Sequence, residues 1–202
     1  MSTNIELVAF DLGNVLCTVN EMPVAQKLAA MSGRSAEDTF EIIFSKQRKL
    51  LFESGEMTFT QHAEQAISTL GLDMSTRDFT DLYDSVLIPS ENMFTLVSRI
   101  GTTHRLALVS NTSEPHWKSA QRFLPFSPKL DPVIVSYEVE SMKPDRAFYD
   151  ALLEQSGVPA SNILFVDDLA VNIAAARTAG MIGHQFESQA GLETALIELG
   201  II

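Results

Sequence analysis

The chain has 202 residues, 46% of them hydrophobic, which is enough for a real core with room for a modest insertion. Its net charge of −12 and isoelectric point near 4.6 repel phosphate backbones and anionic lipid, so nucleic acid and membranes are poor partners. One cysteine, Cys17, excludes an internal disulfide framework, and no apolar run approaches the roughly 20 residues of a membrane helix. The start, MSTNIELVAF, has neither a basic n-region nor a long apolar h-region, so a soluble cytoplasmic protein is expected.

In chain order, the first element is Leu7–Phe10, a continuous apolar run that stops at Asp11. Leu106–Val109, Val133–Val135 and Ile163–Val166 are three later runs of the same kind. Continuous Val, Ile and Leu, without alternation, suits strands covered on both faces, as in a parallel sheet.

Residues 18–90 contain no strand-like run and read as helical. Ser35 and Ser75 each precede an Asp by three residues, the spacing of a capping box with Asp in place of Glu or Gln. Phe40, Ile43 and Phe44 follow the first. Ala63, Ala66, Ile67 and Leu70 mark a helix ending at Gly71, and Phe79, Leu82, Tyr83 and Val86 mark another. Seventy residues are too many for a loop, so 18–90 is read as an inserted helical subdomain, leaving 1–17 and 91–202 as the core.

Beyond the insertion, residues 145–156 place Phe148, Ala151 and Leu152 on one stripe and stop at Gly157. Pro144 is expected in the first turn of that helix. Residues 169–179 place Val171, Ala174, Ala175 and Thr178 at helical spacing before Gly180, and a last amphipathic helix covers 189–199. Strand and helix alternate, which argues for an α/β fold with a doubly wound parallel sheet.

Three of the four runs end in chemistry. Asp11 follows the first, Ser110 and Asn111 the second, Asp167 and Asp168 the last, and Lys143 lies between them. In an open parallel sheet, groups just past the carboxyl ends of the strands share one crevice. The expectation is that Asp11, Ser110, Lys143 and Asp168 meet there. Three carboxylates, a lysine and a hydroxyl suit phosphoryl transfer with Mg²⁺, which takes carboxylate oxygens and leaves positions for water and phosphate. A carboxylate can also attack phosphorus itself and split one displacement into two.

Read as motifs, Phe-Asp11-Leu-Gly-Asn-Val, Val-Ser110-Asn-Thr, Met-Lys143-Pro-Asp and Phe-Val-Asp167-Asp168 with Asn172 resemble the four ordered motifs of the haloacid dehalogenase superfamily. The resemblance spans residues 5 to about 180, and the helical insertion is similar to that family's type-1 cap. The spelling DLGNV is similar to the branch holding sugar-1-phosphate phosphatases and to the phosphatase domain of bifunctional epoxide hydrolases. The resemblance implies Asp11 as nucleophile. It implies Ser110, helped by Asn111, as holder of phosphate oxygens, and Lys143 as the balancing charge. Mg²⁺ would sit on the Asp11 carboxylate, the Gly13 carbonyl and Asp168, with Asp167 near or through water. The implied substrate is a small phosphorylated metabolite.

One position departs from the pattern. Most phosphatases of that family carry a second Asp two residues after the nucleophile, which protonates the leaving alcohol; here the residue is Gly13. Glu53, Glu56 and His62 of the insertion are unranked candidates to supply the proton. Two other readings stand beside the phosphatase: a metal-free 2-haloacid dehalogenase, which the Asp167-Asp168 pair disfavours, and a binding protein without turnover. The four histidines, 62, 104, 116 and 184, show no metal-ligand spacing and read as surface or satisfied core residues. Gly55 reads as a turn pointing toward the crevice.

Overall fold

The computed structural model describes residues 4–202. Its centre is a parallel five-stranded sheet of β1 (Leu7–Phe10), β4 (Arg105–Ser110), β5 (Leu130–Val135), β6 (Ile163–Asp167) and β7 (Ile182–Gln185), in the order β5-β4-β1-β6-β7. All four expected runs are strands. Every side chain of β1 is fully buried, because alternate residues face two different cores. Val8 and Phe10 join Leu106, Leu108, Leu164 and Val166 on one face. Leu7 and Ala9 join Val109, Ile134, Phe148, Leu152 and Phe165 on the other. Each such Leu, Ile or Phe removed from water contributes about 1.5–3 kcal/mol.

β7 has only one strongly apolar residue and is half-buried at the sheet edge, so its sequence carries no strand signal. Gly183 lets α10 (Ala170–Thr178) approach it: a Cβ there would lie 2.9 Å from Ile173 Cγ2.

Two short strands overturn the all-helical reading of residues 18–90. β2 (Cys17–Val19) and β3 (Leu87–Pro89) pair antiparallel, with Thr18 opposite Ile88. Three residues each are too few to show a pattern. Between them run α1 (Met22–Ser32), α2 (Ala36–Phe44), α3 (Lys46–Glu53), α4 (Phe59–Leu70) and α5 (Thr76–Asp84). Ser35 and Ser75 accept the amides of Asp38 and Asp78, as expected of N-caps. The complete capping box is elsewhere, between Thr58 and Gln61. Phe44, Phe52 and Tyr83 of these helices belong to the same apolar cluster as Leu12 and Leu16 of the core.

The remaining helices are α6 (Glu91–Ile100), α7 (Glu114–Phe123), α8 (Ser136–Val139), α9 (Arg146–Ser156) and α11 (Gln189–Glu198). α9 begins after Asp145, so Pro144 lies outside its first turn, in a cis peptide with Lys143. In α10 the expected stripe is rotated. Asn172, Ile173 and Ala176 face inward, whereas Val171 is 56% exposed. Among the described residues no helix is long and apolar enough to cross a membrane.

Candidate active site

The chain reverses its winding at β1, which lies between β4 and β6, so the carboxyl ends of these three strands frame one crevice. The Asp11 amide still donates to Val166 O at 2.9 Å, which extends the ladder by one residue and holds Asp11 at the rim. The turn after it needs Asn14 at a φ of +56°, a left-handed conformation that Asn tolerates better than most residues. Asn14 Nδ2 then donates to Asp168 Oδ2 at 3.2 Å, and its Oδ1 accepts the Val19 amide at 3.3 Å.

Lys143 is pinned before its charge is used. Its amide donates to Asn111 Oδ1 at 2.8 Å and its carbonyl accepts from Asn111 Nδ2 at 2.9 Å. The ammonium spends all three N–H bonds, on Asp11 Oδ1 (2.8 Å), Asp167 Oδ2 (2.6 Å) and Val109 O (2.9 Å). Burial alone would lower its pKa, but Asp11 and Asp167 outweigh that and hold it above the ordinary value. Asp11 is raised, chiefly because burial strips water from its carboxylate. Lys143 opposes the shift and Asp167 adds to it.

Asp167 is fully buried and satisfied by protein. Besides Lys143 it takes Asn172 Nδ2 at 2.9 and 3.1 Å and the Leu169 amide at 2.9 Å. Asp168 is half-exposed at the rim and keeps oxygen capacity beyond Asn14. Carboxylate atoms of Asp11, Asp167 and Asp168 lie within 4.8 Å of one another. Three anions against one lysine leave an excess of two negative charges. That excess, on hard oxygen donors, fits a small divalent cation.

A cavity of about 290 Å³ opens beside them, lined by Asp11, Gly13, Asn14, Asn111, Lys143, Asp168 and Asn172 and, from residues 18–90, by Glu21, Lys49, Glu53 and Tyr83. Asp11, Lys143 and Asp168 therefore meet as expected. Ser110 does not join them: it is buried at the end of β4 and is absent from the cavity lining, where Thr112 stands instead. Asn111 lines the cavity, but its amide is committed to the Lys143 backbone.

Of the candidate proton sources, only Glu53 reaches the cavity. Glu56 is exposed away from it. His62 is buried among Phe52, Phe59, Phe79 and Tyr83 with neither ring nitrogen hydrogen-bonded, so it is a core histidine without the expected partner. Gly55 does turn the chain, at φ +84°, but packs against Tyr137 and faces a separate small cavity. Sequence reasoning missed Asn14, whose only local signal is an Asn in the turn after Asp11, and His116, which lines the cavity while stacked on Tyr83 at 4.3 Å.

The model of the haloacid dehalogenase-like hydrolases matches residues 5–180. The chain belongs to that family, and it is a hydrolase. It is 28% identical over 185 residues to the sesquiterpene phosphatase astK of Aspergillus oryzae, across 91% of this chain and 90% of that one. Its fold is similar to that of the family enzyme bt-2542 of Bacteroides thetaiotaomicron, solved in complex with magnesium and inorganic phosphate (TM-score 0.81, 20% identity, 93% of this chain and 98% of that one). It is also similar to L-2-haloacid dehalogenase of Xanthobacter autotrophicus, with a TM-score of 0.66, 21% identity, and coverage of 96% and 83%.

Proposed function

We propose that the chain is a magnesium-dependent phosphatase that hydrolyses a small phosphorylated metabolite through an aspartyl-phosphate on Asp11. The observation that carries this reading is the trio of Asp11, Asp167 and Asp168 gathered around Lys143 at the mouth of one cavity. A metal-free dehalogenase has no use for the excess negative charge of that trio; a phosphatase that binds Mg²⁺ does. The magnesium and phosphate of the bt-2542 complex support the same choice.

Asp11 and Asp168 would hold the ion, helped by the Gly13 carbonyl, since Asp167 is already saturated by Lys143, Asn172 and Leu169. The bound ion would neutralise charge on the transferring phosphoryl group. The free oxygen of Asp11 attacks phosphorus. Lys143 keeps that carboxylate ionised and offsets the phosphoryl charge as it develops. Asp167 and Asn172 hold the lysine, and Asn111 fixes its backbone, so that the charge is in place before the substrate arrives. The inserted helices, residues 18–90, would act as a cap that excludes water while Asp11 attacks.

The substrate is read as a sugar phosphate or a related metabolite. A second reading, an apolar alkyl phosphate, has its own support. A groove walled by Phe40, Phe44, Leu50 and Met142 adjoins the cavity at Glu21, Lys49 and Glu53, and the astK relative is a sesquiterpene phosphatase. Nucleic acid stays an unsuitable partner for so acidic a chain. The single thiol, buried and pushed up to about 12 by desolvation, is inert and fits a cytoplasmic protein.

The test is phosphate release from sugar phosphates, a terpenyl phosphate and an aryl phosphate, with and without Mg²⁺. Asp11→Asn should abolish Mg²⁺-dependent release on all of them without changing the circular dichroism spectrum. Persistent turnover in that variant excludes Asp11 as nucleophile, and halide release from a 2-haloacid returns the dehalogenase.

A further inference from the structure

The reaction needs a proton donor for the leaving oxygen, and the loop after β1 does not hold one. Gly13 has no side chain, and a Cβ there would lie 3.3 Å from Val19 Cγ2, closer than ordinary contact. The donor must come from another wall of the cavity. Glu21 is already engaged in an ion pair with Lys49. His116 is stacked on Tyr83 and buried, which keeps its imidazole neutral down to about pH 4. Tyr83 is raised well above its ordinary value by burial and shares that stack.

Glu53 differs from all of these. It ends α3, where the partial negative charge of the helix terminus disfavours a carboxylate. It forms no salt bridge among the described residues, and it lines the same cavity as Asp11 and Lys143. We propose that Glu53 is the general acid and base of this reaction, delivering from the insertion the proton that a carboxyl at position 13 would deliver from the core. The proposal rests on the phosphatase reading.

The chemistry balances. As Asp11 attacks, the phosphorus–oxygen bond to the leaving group breaks, and the departing oxygen takes the Glu53 proton to leave as an alcohol. The Glu53 carboxylate then removes a proton from water, whose oxygen attacks phosphorus. The acyl phosphate breaks, Asp11 is restored as a carboxylate, and Glu53 is again protonated. Its surroundings favour the protonated resting state. Burial pushes its carboxyl up to about 8; Lys49 and Lys143 oppose the shift and Glu21 and Asp11 add to it.

The placement on the insertion has a consequence for specificity. An acid carried by these helices is in position only when they lie against the core, so proton delivery and exclusion of bulk water would be one event, with the single water that Glu53 deprotonates taking the place of the departed alcohol.

The experiment compares Glu53→Gln with the unmodified protein on a primary alkyl phosphate and on p-nitrophenyl phosphate, in Mg²⁺, with thermal melts as the control for folding. An alkoxide needs its proton and a nitrophenolate does not. In single-turnover measurements of the first step, the variant should lose about 10²–10⁴-fold in alcohol release from the alkyl phosphate and keep the nitrophenolate burst within about tenfold, while steady-state turnover, which also needs the base, falls on both. Glu53→Asp, which keeps the acid one methylene short, should lose less than Gln on the alkyl phosphate, and it serves if Gln proves unstable. Equal losses in the first step on both substrates, or retained alcohol release from the alkyl phosphate, overturn the proposal while leaving the phosphatase reading intact. Silence of the unmodified protein on both phosphates overturns the two together.

Discussion

Lys143→Met tests the electrostatic centre of the site directly. Lys143 is 5% exposed and lies 2.8 Å from Asp11 and 2.6 Å from Asp167. At an effective dielectric constant near 20, each contact is worth about 6 kcal/mol of Coulomb energy, most of it offset by the cost of taking the ions out of water. The variant keeps the two carboxylates and loses what balances them. Their oxygens lie within 4.8 Å, which adds about 3 kcal/mol of repulsion if both stay ionised. Removing one partner of a buried pair costs about 3–5 kcal/mol in practice, against a total stability of about 5–15 kcal/mol. With a urea m-value of about 2 kcal/mol per molar, the midpoint should fall by about 2 M at pH 7 in chelator.

The pH dependence gives the sign. Without the ammonium, the carboxyl pair holds a proton in the folded state that the unfolded chain releases near pH 4. Stability of the variant therefore falls as pH rises from about 4 toward 7, and the gap to the unmodified protein widens over that range. Adding Asp167→Asn to Lys143→Met removes the repulsion and should recover half the loss or more. A loss below about 1 kcal/mol, or one that is the same at pH 5 and pH 7, would refute the view that Lys143 is an electrostatic keystone and not simply a packed side chain.

Asn14→Gly keeps the left-handed turn but removes the amide that holds Asp168, so the Mg²⁺ concentration for half-maximal phosphate release should rise about 10-fold; an unchanged value would show that Asp168 needs no such tether. His62 is held near pKa 4 by burial, against an ordinary 6.5. The folded state resists a proton that the unfolded chain accepts, so His62 withdraws up to about 3 kcal/mol of stability as pH falls from 6.5 to 4. His62→Met should flatten that part of the urea-midpoint profile by the same amount, and parallel profiles would exclude His62 as an acid-labile point.

The strands that build the site were legible because they are central. β1, β4 and β6 lie inside the sheet and are covered on both faces, so burial wrote itself as unbroken apolar runs, and the edge strand β5 shows one only at its packed end, Val133–Val135. β7, at the edge, needs less burial and shows no run. The short ribbon of β2 and β3 depends on two segments about 70 residues apart finding each other, which no local pattern encodes. The face of α10 was misread for a related reason. The apolar stripe of Val171 and its neighbours is weak, and the helix is turned by a polar contact, Asn172 to Asp167, that period counting ignores.

Residue identity and order alone determined that carboxylates and a hydroxyl stand at the ends of buried strands, because a strand's exit point follows from its hydrophobic run. Tertiary structure decided what each group can still do once it is there. Ser110 is buried outside the cavity lining, Asn111 was spent on a backbone, Asp167 was spent on Lys143, and of three candidates Glu53 lines the cavity. Those outcomes depend on which hydrogen-bond partners and how much water each side chain meets, and both are set by segments far away in the chain.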